Sequence, residues 1–554
     1  MRQAIIRGLI FGAGAVHLAA VGVLLMMHQR WVVVDHLTLA QATLVLIGMA
    51  AGAFATSGHR LRVLAGALAG FAAAVPLSVL AVFTAYLQPQ WMFVALTPQT
   101  LKLLTFGLPL GRGVSVLLLS GVVSGVAGVL FRGAPGVLRG PIIAGVVAVM
   151  IAGVFQELIQ AMLPYTGVIG AAHEFVYVWQ GLTSAGAGVL FVAAALIERS
   201  WLAVRRMTPD RGPGQPRSVT GGRMLRAGIA LVALAIMPAL AGNYIGQVLM
   251  LVGLYILMGM GLNLEVGLAG LLDLGFVAFF AVGAYTTALL TADSPHALLH
   301  LSFWLAMPAS VALAVLVGVV FGLPVLGVRG DYLAVATMGL GEIVRIIVLS
   351  DFAAPLLGGA QGVLQIPKPS LGAMVLNSPV QLFYLTLVAS AVAAFVAWRL
   401  ENSRLGRAWM ALRDDEDVAQ ALGINLVRSK LMAYGLGAAF AGLAGSIFAA
   451  MLTSVYPSSF QLLISINVLA LIIVGGMGSL PGVVLGSIAL IGLPELLREF
   501  GEYRYLFYGA VLIVMMQWRP EGLWPSEVRR RELHEADEIE ADEEAAELIP
   551  VQPQ

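Results

Sequence analysis

The sequence predicts an all-α polytopic membrane protein of about sixteen transmembrane helices, and three observations predict it. Hydrophobic residues make up 59% of the 554 and charged residues only 11%, with a mean hydropathy of +0.92. Soluble domains carry about 25% charged residues, and a soluble fold could not hide this much apolar surface. Apolar runs of about 18 to 25 residues recur along the whole length, each long enough to cross a hydrocarbon core of roughly 30 Å as a helix. The 64 glycines suit the same setting, because helices in a bilayer associate through close backbone approach at small residues. There is no cysteine, which excludes disulfides, thiolate metal sites and cysteine nucleophiles.

The first apolar run, residues 4–27, follows Arg2 and Arg7. It is long, and no small-x-small cleavage site stands out after it, so it reads as a retained span rather than a signal peptide. Further apolar segments at 37–56, 61–87, 113–131, 140–163 and 175–198, with a half-segment at 92–110, give an N-terminal membrane domain, 1–204, of about six spans. Arg60 and Arg62, then Arg132 and Arg139, then Arg199, Arg205 and Arg206 follow the second, fourth and sixth of these segments. The positive-inside rule requires that distribution of a cytoplasmic N-terminus.

Residues 205–223 combine Pro, Gly and Arg with almost nothing to bury, and read as a flexible cytoplasmic linker. A second membrane domain, 224–526, then offers apolar segments at 224–242, 244–266, 268–291, 301–328, 331–349, 378–399, 429–453, 461–480, 481–499 and 503–518, about ten crossings. The basic loop at 399–430 follows the sixth of them, so linker, loop and C-terminal tail all fall in the cytoplasm and 351–377 falls outside. The tail, 527–554, is acidic and free of aromatics, which predicts a short charged helix or disorder.

The polar stretch 403–435, SRLGRAWMALRDDEDVAQALGINLVRSKLMAYG, is unlike the rest of the chain. Asp414, Asp415, Glu416 and Asp417 start a short helix, where carboxylates suit the positive end of the dipole. Val418, Ala419, Ala421 and Leu422 give that helix a small apolar face, and Gly423 ends it. Such a helix, anchored at both ends to membrane spans, suits either a mechanical contact with a soluble partner or an amphipathic connection lying on the bilayer.

The core Glu416-Asp-Val-Ala419-Gln-Ala421-Leu-Gly423-Ile-Asn425 resembles the cytoplasmic coupling loop of ATP-binding-cassette (ABC) importer permeases, as written in the branched-chain amino acid permeases. Other blocks resembling that family follow its order. They are GMGLNLEVGLAGLLDLGFVAFFAVGAYTTALL at 259–290, VRGDYLAVATMGLGEIVRIIV at 328–348, GGAQGVLQIP at 358–367 and GGMGSLPGVVLGS at 475–487. One departure stands out: Phe276 occupies a position where the family often carries His or Tyr.

The resemblance covers roughly 230–526 and implies a fold similar to the type II, vitamin-uptake-like ABC importers. It also implies a prokaryotic cell membrane location and inward movement of a branched-chain or neutral amino acid, an amide, urea or a related small polar solute. The chain would supply a transport subunit and no catalysis. Its implied partners are ABC ATPase subunits that bind ATP and Mg, a second permease subunit and an extracytoplasmic solute-binding protein, within membrane lipid and with no nucleic acid. No G-x-x-x-x-G-K-[ST] phosphate loop occurs in the chain, so no cofactor is expected on it. Carried over residue by residue, the coupling positions are Arg413, Glu416, Ala419, Ala421, Gly423 and Asn425.

Polar residues at membrane depth are costly and are functional candidates. Asn263, Glu265, Asp273, Glu342, Arg345 and Asn467 are the notable ones, and with Gly275 and the external-loop Gly359 they supply candidates for the translocation pathway. Glu342 and Arg345, three apart on a helix, can neutralise each other as a structural ion pair. Asp273 lies among Gly267, Gly270 and Gly275, where backbone irregularity could open onto a path or simply start a helix.

Residues 35–56 faintly resemble the signature span of the partner permease, with Leu39-Ala40-Gln41 at its polar turn, but nothing in 1–204 matches the 403–435 loop. That part reads as an appended membrane domain, with a degenerate second permease half as the alternative. His173, Glu174, Glu157, Gln156 and Gln160 read there as structural polar residues. The rival reading of the whole chain is a self-sufficient, ion-coupled secondary transporter or channel, which predicts a dense set of buried carboxylates and has no use for a docking loop. A membrane scaffold or sensor would leave that loop without an ATPase partner.

Overall fold

The computed structural model describes residues 1–55, 62–87, 89–162, 173–178, 181–207, 219–328, 330–372, 374–498, 503–519 and 521–526. Most of the expected linker, 208–218, and the whole tail, 527–554, lie outside the described residues. The chain forms two compact units, Met1–Arg223 and Met224–Gln554.

The first unit contains α1 (Arg2–Ala20), α2 (Val23–His28), α3 (Leu39–Ala53), α4 (Arg62–Leu87), α5 (Pro98–Leu104), α6 (Leu110–Gly133), α7 (Gly136–Val154), α8 (Gln156–Met162) and α9 (Ser184–Met207). Helices α1, α3, α4 and α6 pack together, and α7 packs on α9. Contact here is backbone to backbone: a Cβ built on Gly52 would lie 2.0 Å from the Gly125 carbonyl oxygen, so α3 and α6 approach as only glycine permits. Thr38 caps α3 in a capping box with Gln41. The half-segment 92–110 holds only the short α5, capped by Thr97. A small sheet of order β2-β1-β4-β3 is built from Trp31–Val33 (β1), Leu37–Thr38 (β2), Tyr177–Val178 (β3) and Gly181–Leu182 (β4).

The second unit opens within α10 (Val219–Leu262), which breaks at Gly242, a residue at φ 83. Its last turn widens into a π-helical segment, Asn263–Leu268, and residues 269–276 leave the helix before α11 (Val277–Thr291) resumes. The apolar run at 268–291 is therefore helical only from Val277. There follow α12 (Phe303–Val325), α13 (Asp331–Leu349), α14 (Ala354–Leu357), the hairpin strands β5 (Ser370–Leu371) and β6 (Met374–Val375), and α15 (Pro379–Glu401). Two short helices come next, α16 (Arg404–Asp414) and α17 (Glu416–Ala421), then α18 (Leu426–Leu452), α19 (Leu462–Gly475), α20 (Leu480–Ser487), α21 (Leu493–Leu496) and α22 (Tyr503–Trp518).

Helices α11, α12 and α18 pack mutually at the centre of this unit. Small residues set their spacing: a Cβ on Gly283 would lie 2.3 Å from the Gly442 carbonyl oxygen. Aromatic rings fill what the glycines leave, with Phe280 at 5.0 Å from Phe448 and 5.5 Å from Phe460, centroid to centroid. Among the described residues nine helices are long and apolar enough to cross a membrane, with four shorter apolar ones, including Val277–Thr291 and Leu480–Leu496. The protein is an all-α, multi-pass membrane protein with little sheet.

Candidate functional site

Ser403 turns the chain out of α15 by accepting hydrogen bonds from the amides of Leu405 and Gly406. Trp409 is fully buried and its indole N–H donates to the Ser429 carbonyl at 2.9 Å, fastening α16 to the first turn of α18. Asp415 is extended, at φ −158, and so ends α16; its Oδ1 accepts the Asp417 and Val418 amides at 2.8 and 2.9 Å and caps α17. Of the four acids expected to start this helix, Asp415 is the one that caps it. The far end closes as a Schellman motif, with the Ile424 amide on the Ala419 carbonyl, the Gly423 amide on Gln420, and Gly423 at φ 88. Asn425 caps α18 by accepting the Arg428 amide at 3.0 Å.

The expected apolar face of α17 divides. Ala419 is 1% exposed, whereas Val418, Ala421 and Leu422 point outward, Leu422 at 77% exposure. Glu416 turns inward and pairs with Lys430 at 2.7 Å, and the Lys430 side chain is only 4% exposed. Arg413 reaches furthest: its Nη1 donates to the Gly267 carbonyl at 3.1 Å, and its Cγ crowds Gly270, which sits at φ 71. Arg413 also lies 3.6 Å from Asp414. The polar loop is thereby fixed to the irregular segment that follows α10.

That segment satisfies its exposed backbone within the protein, the condition for irregular chain at membrane depth. Asn263 Oδ1 accepts the Gly478 amide at 2.8 Å, Asp273 Oδ1 accepts the Gly275 amide at 2.7 Å, and Thr337 Oγ1 accepts the Leu274 amide at 3.0 Å. Ser465 Oγ accepts the Val277 amide at 2.9 Å where α11 begins. Gly275 packs directly on the Thr337 carbonyl, since a Cβ there would lie 2.2 Å from that oxygen. Asp273 and Glu265 are both buried, with their carboxyl groups in mutual reach.

The structure thus gathers Arg413, Asn263, Asp273 and Gly275 around one break and leaves the other candidates elsewhere. Glu342 and Arg345 pair with each other, Arg345 Nε lying 2.9 Å from both carboxylate oxygens, on a half-exposed face of α13. Arg345 also lines a narrow cleft with Val277, Ala281, Tyr285, Gly341 and Phe460. Asn467 on α19 lies beside the Tyr255 side chain. Gly359 belongs to the loop after α14, at φ 55, where Val363 and Val455 exchange backbone hydrogen bonds at 3.0 and 2.8 Å. In the first unit His173 stacks on Tyr177.

Sequence reasoning did not single out Trp409, Lys430, Tyr434, Thr337 or Ser465. A lysine four residues inside an apolar helix was a readable signal, because such a charge needs a partner; the hydroxyl side chains carried none.

A profile of the family described as branched-chain amino acid transport system / permease component matches residues 244–516. The chain is 40% identical over 321 residues to the high-affinity branched-chain amino acid transport system permease protein LivM of Escherichia coli (strain K12), an alignment covering 54% of this chain and 74% of that protein. To LivM of Salmonella typhimurium it is 35% identical over 404 residues, 68% of this chain and 92% of that one. The permease protein LivH of Escherichia coli (strain K12) is 23% identical over 290 residues, 49% of this chain and 90% of its own. No solved structure matches the chain. On the matching family profile and these relatives, the chain belongs to the permease-component family of branched-chain amino acid transport systems.

Proposed function

We propose that this chain is a permease subunit of an ABC importer that moves branched-chain or other neutral amino acids, or related amides or urea, into a prokaryotic cell. The observation that carries the reading is the helix pair α16–α17. Its outer face, Val418, Ala421 and Leu422, is bare, while Arg413 on its inner side holds the Gly267 carbonyl. A push on α17 then has a short, hydrogen-bonded route to the break after α10.

In this reading the ATPase subunits carry ATP and Mg, and nucleotide binding and hydrolysis there bias inward- and outward-facing states. A solute-binding protein delivers the solute at the outer side, near the 351–377 loop, and a second permease completes the pathway. About ten crossings of the second unit put the linker, the 403–435 loop and the tail in the cytoplasm together with the N-terminus, in a fold of the type II importer kind. The pathway candidates are Asn263, Asp273, Gly275, Glu342, Arg345, Gly359 and Asn467. Residues 1–204 act as an appended membrane domain.

Reconstitution into proteoliposomes with the ABC ATPase, the second permease and the binding protein encoded beside it tests the reading. ATP-dependent accumulation of labelled leucine, isoleucine or valine is the expected result, with acetamide and urea as comparison solutes. Accumulation driven by an imposed ion gradient in the absence of any ATPase would overturn it.

A further inference from the structure

Glu265 and Asp273 present a problem of charge. Glu265 is 0% and Asp273 1% exposed, and the two carboxyl groups are close enough to interact electrostatically. Asp273 Oδ1 accepts the Gly275 amide, but Asp273 Oδ2 and both Glu265 oxygens meet no donor among the described residues. Facing the pair from α18 are Tyr434 and the bare Cα of Gly437, where a Cβ would lie 1.7 Å from Glu265 Oε1. Facing it from α13 is the Thr337 hydroxyl. From the coupling helices comes Arg413, whose guanidinium donates to the Gly267 carbonyl and lies beside Asp414. Neither carboxyl forms an ion pair with a base among the described residues.

Two adjacent carboxylates buried to this degree cannot both stay ionised without a large cost, since each charge raises the cost of the other. A second observation points the same way. Tyr434 is 2% exposed, its hydroxyl has no hydrogen-bond partner among the described residues, and it stands within electrostatic range of both acids. The carboxyl oxygens of Glu265, Asp273 Oδ2 and the Tyr434 hydroxyl are thus all buried without a hydrogen-bond partner among the described residues. We infer that Glu265 and Asp273 form a binding site for one proton, held between Glu265 and Asp273 Oδ2 and closed over by Tyr434. Glu265 carries the proton as donor; Asp273 remains the anion, held by the Gly275 amide.

The site shares its π-helical segment with Gly267, the residue Arg413 grips, and Glu265 stands two positions before it. Resting on the reading of α16–α17 as the coupling element, a shift of those helices changes the separation of the carboxyls and with it their hold on the proton. The proton site would then sense the transport cycle without replacing ATP as its driver.

Infrared absorption of the full chain in lipid nanodiscs at neutral pH, in H2O and D2O, tests the site without relying on transport. The expected wild-type minus E265Q spectrum contains the C=O stretching band of a protonated carboxylic acid, shifted in D2O. D273N is expected to move this band rather than remove it, and provides the second arm should E265Q fail to fold. A difference spectrum with carboxylate bands alone would overturn the inference, as would a band untouched by both substitutions. So would its disappearance when sodium replaces potassium at fixed ionic strength, which would assign the site to a metal cation. Failure of the permease reading would show instead as absent ATP-dependent uptake with this band intact.

Discussion

Arg413 Nη1 donates to the carbonyl of Gly267 at 3.1 Å, joining a helix of the polar loop to the π-helical turn where α10 ends. A hydrogen bond from a charged donor contributes about 1.5–3 kcal/mol, and 1.4 kcal/mol is tenfold in an equilibrium. Arg413→Ala is therefore expected to lower the amount of solute moved per ATP hydrolysed about tenfold or more, with the ATPase still bound. Arg413→Lys is expected to fall between, because an ammonium keeps the charge but not the planar fork. Simultaneous measurement of uptake and phosphate release in proteoliposomes checks both.

Glu416 and Lys430 should show the asymmetry of a buried pair. Glu416→Gln leaves Lys430 charged and 4% exposed with its partner gone, a loss expected to cost about 3 kcal/mol of stability. The double variant Glu416→Gln with Lys430→Met should recover most of that loss. Thermal unfolding of the detergent-purified chain, run as a double-mutant cycle, measures the coupling; equal losses in the single and double variants would contradict it.

Gly423 sits at φ 88 with open space around its Cα, so the cost of substitution there is conformational rather than steric. Gly423→Ala is expected to destabilise the end of α17 by about 1–2 kcal/mol, and Gly423→Asn, which tolerates the left-handed region, by less. Protease cleavage rates within 421–426 are expected to rank alanine above asparagine above wild type.

Backbone approach at Gly283 predicts intolerance of a different kind. Its Cβ would meet the Gly442 carbonyl oxygen at 2.3 Å, whereas a Cβ on Gly339 meets nothing within 4 Å. Gly283→Leu is expected to abolish recovery of folded chain from membranes through overpacking of α11 against α18, and Gly339→Ala to leave it unchanged. Size-exclusion profiles after extraction separate the two.

The long helices were legible because apolarity and charge end together. The run at 378–399 became α15, bounded by Ser378 with its capping box and by Glu401, and the run at 429–453 became α18, begun by Asn425. The start of α11 was not legible: residues 269–276 are as apolar as a helix, yet Gly270 at φ 71 and the Asp273 side chain bonded to the Gly275 amide keep them out of one. The polar loop was readable as an element, and its inner contacts were not. Lys430 meets Glu416 across a helix junction, and Arg413 meets a carbonyl 146 positions away, neither of which periodicity can report.

The central claim is that α16–α17 is the surface through which an ATPase drives this permease, and its outer residues test it most directly. Val418 and Leu422 are exposed and Ala419 is not, so Val418→Asp with Leu422→Asp alters the docking face while leaving the inner anchors in place. Co-purification of the tagged chain with its ABC ATPase is predicted to drop at least tenfold in this variant, with thermal unfolding of the chain unchanged. Stoichiometric recovery of the ATPase with undiminished ATP-dependent uptake would contradict the account.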